Sequence, residues 1–411
     1  MLPQKSKDPG VLLCGLLVLF CVQDLLQSLI GPFRALEELV ALSVVVLFFL
    51  ELCQTQFTFR FQGNTLVILV FLLLFLLTGG VSTLLNGSPP LSNVLSDILV
   101  WMKFPAAIAV GYLLTMHQGK AERYAALIRV MDVVTVCLTV LFLADLVLHI
   151  FPSDTRSGMR AVKLFYSAYT YCSAVMCVIC AVYFRMYEFL GDRVLLRLLP
   201  LWAIMVSTLR FKAICAVFFM VFVFLIICQQ RRAFGPLMWG MLGAGGLLLG
   251  IRTILYYYVT LQNESARSAL SSTALQIVRD YFPLGTGFAT FGSAFSAEPY
   301  SRVYELYHIN HVWGISEAYH SFISDSFWPY LMGETGILGT VFYCAALVAI
   351  FWQLSRLRLV NAYAYAAALV CFIYLIISST GESAFTNTFG VYFGLWIGVM
   401  LSEEELAYEV A

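Results

Sequence analysis

The residues best equipped for chemistry lie late in the chain, between Asp280 and Gly339. The segment opens with Asp-Tyr-Phe-Pro-Leu-Gly-Thr-Gly-Phe-Ala-Thr-Phe-Gly-Ser over 280–293 and closes with Asp-Ser-Phe-Trp-Pro-Tyr-Leu-Met-Gly-Glu-Thr-Gly-Ile-Leu-Gly over 325–339. Three side chains there are the leading candidates for moving a proton. Asp325 is either a general base or the cap of the helix that follows it. His320, five residues upstream, is the alternative base. Glu334 falls within the apolar stretch after Asp325, where it is either a structural partner for an arginine or a second acid. Gly285 and Gly287 permit close backbone approach, although a lone Gly-x-Gly is a weak signal.

The second chemical resource is a set of basic residues in turns that face away from the basic inner turns: Arg156, Arg160, Lys163, Arg210, Lys212, Arg267, Arg279 and Arg302. A guanidinium is a planar fork that binds phosphate oxygens in pairs, so these residues are candidates for a phosphate or pyrophosphate. The plain alternative is that they are solvated or reach toward lipid headgroups. Arg210, wedged between two apolar stretches, favours the functional reading. Arg267 and Arg279 flank one predicted helix, so they reach one phosphate only if the fold brings other groups to them. Tyr300, Tyr304 and Trp328 belong to a run of aromatics that can stack on sugar rings or settle at the membrane interface. Lys103 lies inside an apolar stretch, with Asp132 and Asp145 as possible partners and Asp97 off its helical face.

Those residues must be held by membrane helices. Of 411 residues, 61% are hydrophobic and 12% charged, and many stretches approach the ~20 apolar residues needed to cross a bilayer. Hydropathy gives about twelve spans: 11–30, 36–52, 65–82, 96–115, 130–150, 166–188, 195–209, 213–229, 236–254, 329–352, 362–380 and 388–402. The pair 195–209 and 213–229 is critical, because reading it as one broken helix inverts everything after it. With both termini cytoplasmic, the inner turns collect Lys5, Lys7, Lys120, Arg123, Arg185, Arg193, Arg197, Arg231, Arg232, Arg356 and Arg358, as the positive-inside bias expects. The acidic run 403–405 is then a cytoplasmic tail. The chain divides into nine helices over 1–254, a long extracytoplasmic loop over 255–328 and three helices over 329–411. Within the loop, Asn263-Glu264-Ser265 resembles a helix start, and Leu270, Ala274, Ile277 and Val278 mark one face of a helix that Pro283 ends.

Other chemistries are disfavoured. Most of the eleven cysteines sit in apolar stretches and none in the long loop, which makes a disulfide framework unexpected and packing their main role. No Cys/His grouping has zinc spacing; His308 and His311 lack a cysteine partner. A net charge of +0 argues against a nucleic-acid partner.

Taken together, the Arg267-led helix, the Phe-Pro-Leu-Gly-Thr-Gly-Phe run at 282–288, Phe291-Gly292-Ser293, Tyr300-Ser301 and the 325–339 block resemble the bacterial O-antigen and capsular polysaccharide polymerases, within the O-antigen ligase and polymerase superfamily. The close match covers about 75 residues; elsewhere the agreement is in span number, topology and outward arginines. The resemblance implies an all-α polytopic membrane protein, GT-C-like in architecture, in the bacterial inner membrane. It implies polymerisation of undecaprenyl-pyrophosphate-linked repeat units at the outer face, with no metal, nucleotide or other cofactor, and with membrane lipid and a chain-length regulator protein as partners. Arg210, Arg267, Arg160 and Arg279 then bind pyrophosphate, Tyr300, Tyr304 and Trp328 bind glycan, and Asp325, His320 or Glu334 handles the acceptor proton. The sequence departs from many relatives by carrying Asp325-Ser326 where they carry His-Asn. A ligase acting on a lipid A core and a twelve-span transporter or flippase remain alternatives.

Overall fold

The computed structural model describes residues 9–29, 36–54, 63–87, 89–116, 120–156, 158–230 and 265–408. The expected span 236–254 and the residues Asn263 and Glu264 lie outside these. Helices α1 (Pro9–Leu29), α2 (Leu36–Gln54), α3 (Gly63–Asn86), α4 (Leu91–Thr115) and α5 (Lys120–Leu148) are followed by a two-residue hairpin, β1 (Thr155–Arg156) and β2 (Met159–Arg160). Then come α6 (Tyr169–Leu190), α7 (Arg193–Ser207) and α8 (Phe211–Val223), the last continued by a wider π turn over Phe224–Cys228. The long loop contributes α9 (Ala266–Asp280) and the short α10 (Arg302–Leu306). The chain ends with α11 (Phe327–Val360), α12 (Ala362–Ser379) and α13 (Thr388–Tyr408).

Among the described residues, seven helices are long and apolar enough to cross a membrane: Asn64–Asn86, Leu91–Thr115, Tyr124–Leu148, Tyr169–Leu190, Phe211–Cys228, Phe327–Val360 and Ala362–Ser379. The protein is therefore a helical membrane protein. Its apolar side chains point outward as well as inward. On α3, Leu66, Leu69, Leu73 and Leu77 are exposed, and on α5 so are Val133, Val136, Val140 and Val147. These stripes at helical spacing suit a hydrocarbon solvent. Helix α6 is the opposite case, buried without interruption from Tyr171 to Met186.

The helix ends gather at two poles, tied by polar contacts. At one pole Arg185 of α6 makes a two-pronged ion pair with Glu403 of α13, at 2.6 and 3.0 Å, in full burial. Tyr124 of α5 donates to the same carboxylate, and Asn361, before α12, joins it. Arg185 also bonds Glu188 at 2.9 Å, so removing Arg185 is the costlier change: it leaves the Glu403 carboxylate buried without a cation, at about 3–5 kcal/mol. The expected acidic tail is thus partly a helix: α13 runs through 403–405, and Glu403 is interior. At the other pole lie the start of α4, the α7–α8 turn, the long loop and the α12–α13 turn.

Helices α7 and α8 are separate. Gly191 and Asp192 turn the chain from α6 into α7, and Thr208-Leu209-Arg210 turns it into α8, with Leu209 at φ 50°. The backbone of Val162 bonds Ser207 at the loop pole, whereas Phe224, which opens the π turn, packs on Tyr187, itself against Tyr363, toward the other pole. The two segments are a reversal, not one broken helix. Lys103 also differs from expectation. Its ammonium bonds Glu37 at 3.2 Å and Glu38 at 2.7 Å, both on α2, whereas Asp132 pairs with Arg197 and Asp145 with Arg160.

The long loop has its own small core. The apolar face of α9 (Ala266, Ala269, Leu270, Ala274, Ile277) packs with Phe291, Tyr304, Ile309, Val312, Ile315 and Ile323. The helix starts where a side chain can cap it, the Ser268 amide donating to Ser265 Oγ at 3.2 Å.

Candidate functional site

The two motif blocks fold against each other. Residues 283–290 form a wedge driven between α3 and α11. The amides of Thr286 and Gly287 donate to the carbonyls of Gly333 and Glu334, both at 2.9 Å, and Leu338 donates to Pro283. From α3, Ser82 Oγ accepts from Gly285 and Thr83 Oγ1 from Phe288, while Asn86 donates to the Gly285 carbonyl. Contacts this close require glycine. A Cβ on Gly336 would stand 2.1 Å from the Leu284 backbone, and one on Gly79 2.2 Å from the Phe288 ring. Gly336 also holds φ 65° inside α11, a kink only glycine adopts freely.

Glu334 belongs to this wedge. Among the described residues, no arginine pairs with it. Its buried carboxyl lies beside that of Asp97 on α4, accepts from the Thr290 amide at 3.2 Å and receives the Trp101 indole at 3.3 Å. Asp97 accepts from the Ala289 amide at 2.9 Å and from the Tyr330 hydroxyl at 2.5 Å. The pair thereby satisfies the turn amides and ties the wedge to two helices.

Above the wedge, at the loop pole, the charged side chains converge. Asp325 lies just before α11, and its carboxylate faces Arg267 of α9 at 3.6 Å. The cap position of α11 is Ser326, with no side-chain cap bond, so Asp325 faces the basic cluster instead of capping. Lys212 of α8 bonds Glu382 at 3.1 Å and the Ser378 carbonyl at 3.2 Å. A Cβ on Gly381 would lie 3.1 Å from Lys212 Nζ and 3.6 Å from an Arg267 guanidinium nitrogen, so both cations reach over this glycine. Ser383 donates to the Ser324 carbonyl at 2.5 Å, fastening the α12–α13 turn to the Asp325 segment. Arg210, in the α7–α8 turn, stands over the Tyr169 ring with 4.8 Å to its centroid.

The electrostatics are those of a poised site. Burial pushes the Asp325 carboxyl above the ordinary aspartate range; Arg267 and Lys212 pull it back, and Glu382 opposes them. Burial also pushes Arg210 below its ordinary value, and Arg156 and Arg267 add to the effect against Tyr169 and Asp154. The Arg267–Asp325 contact is long and about two-fifths exposed, so it contributes at most about 1 kcal/mol and is readily exchanged for another partner.

The structure brings together Arg210, Arg267 and Asp325, and adds Lys212, Glu382 and Tyr169. It does not bring the other candidates there. Arg160 donates to Asp145, Ser153 and the Phe151 carbonyl, which holds the hairpin in place. Arg279 is exposed in the last turn of α9, about 18 Å along the helix from Arg267 at 1.5 Å per residue. His320 faces Glu298 at 3.4 Å. Tyr304 is wholly buried, its hydroxyl accepting from Gly292 at 2.8 Å and meeting Ser296 at 2.7 Å. Tyr300 is half-buried and donates to the Ile315 carbonyl, and Trp328 packs beside Phe327 against the main core. Glu382 lay unnoticed because an acid in a short turn between two apolar stretches has no spacing signature. Among the described residues, no group of three or more His, Cys, Asp or Glu side chains is placed to hold a metal ion.

No family model matches the chain, and no curated protein matches it significantly.

Proposed function

We propose that this protein polymerises polyprenyl-pyrophosphate-linked oligosaccharide repeat units at the outer face of a bacterial inner membrane. The observation that carries the reading is the placement of Arg267 and Lys212 at a part-buried carboxylate, Asp325, with Arg210 beside Arg267, at the pole bearing the long loop. A glycosyl transfer from a pyrophosphate carrier needs two things: cations where the leaving group gains charge, and a base where the acceptor loses a proton.

In this reading Arg210 and Arg267 hold the pyrophosphate of the donor, and Lys212 adds a third charge. The acceptor hydroxyl attacks the anomeric carbon of the donor sugar. The bond from that carbon to the pyrophosphate oxygen breaks, the polyprenyl pyrophosphate leaves, and the hydroxyl proton passes to Asp325. A carboxyl raised by burial is a better base than an ordinary aspartate. The route calls on no nucleotide or metal. About twelve spans and a GT-C-like architecture belong to the same reading, with both termini cytoplasmic and a chain-length regulator as a partner. The same geometry would serve a ligase, in which only the acceptor differs.

The test is reconstitution of the purified protein with lipid-linked repeat units from its source membrane. Longer glycans should form, with one polyprenyl pyrophosphate released per new linkage. Glycan movement across the bilayer without new linkages would favour a transporter, and transfer to a lipid A core would favour a ligase.

A further inference from the structure

The α12–α13 turn enters the site although no sequence motif marks it. It carries Glu382, an acid beside Lys212 and close to Asp325. A second carboxylate there opposes the cations around it, so its presence needs a reason. Glu382 pairs with Lys212 at 3.1 Å, and both side chains are about four-fifths buried. An ion pair at that depth adds little stability, because desolvation offsets the attraction. Nor does the end of α12 need Lys212 as a cap. The Ser378 carbonyl, which Lys212 reaches at 3.2 Å, already accepts from the amides of Gly381 and Glu382, both at 3.1 Å.

The turn is mounted to serve Asp325. Ser383, next to Glu382, donates to the carbonyl of Ser324, next to Asp325, at 2.5 Å. Gly381 passes under the cations: a Cβ there would lie 3.0 Å from Lys212 Cε and 3.6 Å from an Arg267 guanidinium nitrogen. The charged groups that act on Asp325 are Arg267 from α9, Lys212 from α8 and Glu382 from the turn. Its loop neighbour His320 faces Glu298 instead. Among the described residues, the cation at ion-pair distance from Asp325 is Arg267, at a long 3.6 Å. An ammonium in close contact with an aspartate holds it ionised and makes it a poor base. Lys212 has the charge and the position to do this, but Glu382 engages it. The Asp325 carboxyl accordingly stands above the ordinary aspartate range, with Glu382 acting in the same direction as burial.

We propose that Glu382 is a positioning residue of the site: it engages Lys212, keeps that ammonium from closing on Asp325, and so leaves Asp325 free to take the acceptor proton. That Asp325 is the base rests on the function proposed above; the control of Asp325 by Glu382 and Lys212 rests on the geometry alone. Lys212 keeps its charge in this arrangement and still contributes it to the donor side. Glu382 itself touches no reacting atom and acts through the two residues that do.

The test is the titration of Asp325 in the full-length protein in phosphatidylcholine nanodiscs. It is read by mass spectrometry as labelling with dicyclohexylcarbodiimide, which couples to protonated carboxyls. In Glu382→Gln, Lys212 is released, and the labelling midpoint of Asp325 should fall by about one pH unit. In Lys212→Met it should rise. In the double variant, which loses an anion and a cation together, it should return to within about 0.3 unit of wild type. A pair that only braced the turn would not give opposite shifts that cancel. With lipid-linked repeat units from the source membrane, the acid limb of the pH–rate profile should move down in Glu382→Gln, and turnover at neutral pH should fall about three- to tenfold. Should Glu382→Gln not accumulate, Glu382→Asp, which keeps the charge but shortens its reach, should lower the midpoint in the same direction. Midpoints that do not move, in a protein that links repeat units normally, would overturn this proposal alone. Opposite midpoint shifts in a wild-type protein that links no repeat units would leave the pairing standing and reject the polymerase reading.

Discussion

At the scale of single residues, Asp325 carries the sharpest expectation. Its folded-state pKa is raised above the unfolded value. The stability it contributes is therefore fully present below the unfolded pKa and lost as pH rises through the folded pKa. At neutral pH its charge is a net burden on the fold, so Asp325→Asn should accumulate in the membrane as well as wild type and melt no earlier. Activity should nevertheless fall by about 10²–10⁴-fold, the usual contribution of a placed base. Undiminished turnover in that variant would move the proton transfer elsewhere. In wild type, the acid limb of the pH–rate profile should lie above that of an ordinary aspartate. A second contrast separates cations inside the cluster from one outside it. Arg210→Lys keeps the charge but loses the planar fork, and should cut turnover sharply. Arg302, exposed at the start of α10, should tolerate alanine; equal losses in the two variants would contradict the assignment of the site to the cluster.

At the scale of elements, the glycine-rich run and the block over 325–339 are two halves of one joint, and their spacing reflects packing more than ligand contact. Gly79 and Gly80 test this within one helix. A Cβ on Gly79 would meet the Phe288 ring at 2.2 Å, whereas one on Gly80 meets nothing within 4 Å. Gly79→Ala should cost about 1–3 kcal/mol by overpacking, and Gly80→Ala should be neutral or slightly stabilising. Thermal melts of the two variants in detergent decide it, and equal midpoints would remove the joint. The carboxyl pair gives a parallel test. Glu334→Gln keeps an acceptor for the Thr290 amide and the Trp101 indole and offers a donor toward Asp97, and should fold normally, whereas Glu334→Ala strands that amide and indole and should destabilise by about 1–3 kcal/mol per unsatisfied group.

These elements also show what the sequence made legible. The apolar helices that the structure describes were legible in position, because hydropathy over twenty positions is a strong local signal, but not in their ends: α5 begins at Lys120, ten residues before the apolar stretch, and α11 runs eight residues past it to Val360. Helix α9 was readable from the spacing of Leu270, Ala274 and Ile277. Arg210 and Arg267 could be singled out because charge is scarce near a membrane. Pairings were not legible. Lys103 with Glu37 and Glu38, Asp97 with Glu334, and Arg185 with Glu403 each join residues far apart in the chain, and helical periodicity says nothing about which faces meet. The roles of Tyr304 and Arg160 escaped for the same reason. An aromatic or a guanidinium looks alike in sequence whether it faces a ligand or satisfies its own fold.

At the scale of the whole molecule, the account requires the loop pole to face away from the cytoplasm. Ala318 is exposed in the loop, and Leu359, 90% exposed, lies at the opposite pole. In a variant without native cysteines, a cysteine at Ala318 should react with an impermeant thiol reagent in intact spheroplasts, and one at Leu359 should react only after lysis. The reverse pattern would turn the site inward and contradict the proposed function. Sidedness, however, is shared by every function of this class. The central claim is that Arg267 and Asp325 act together to join repeat units, and its most direct test is the glycan made by cells carrying only Arg267→Lys or Asp325→Asn. The account predicts that each variant reaches wild-type protein levels, yet the ladder of long chains collapses to a single repeat unit. A full ladder of wild-type length from both variants would contradict it.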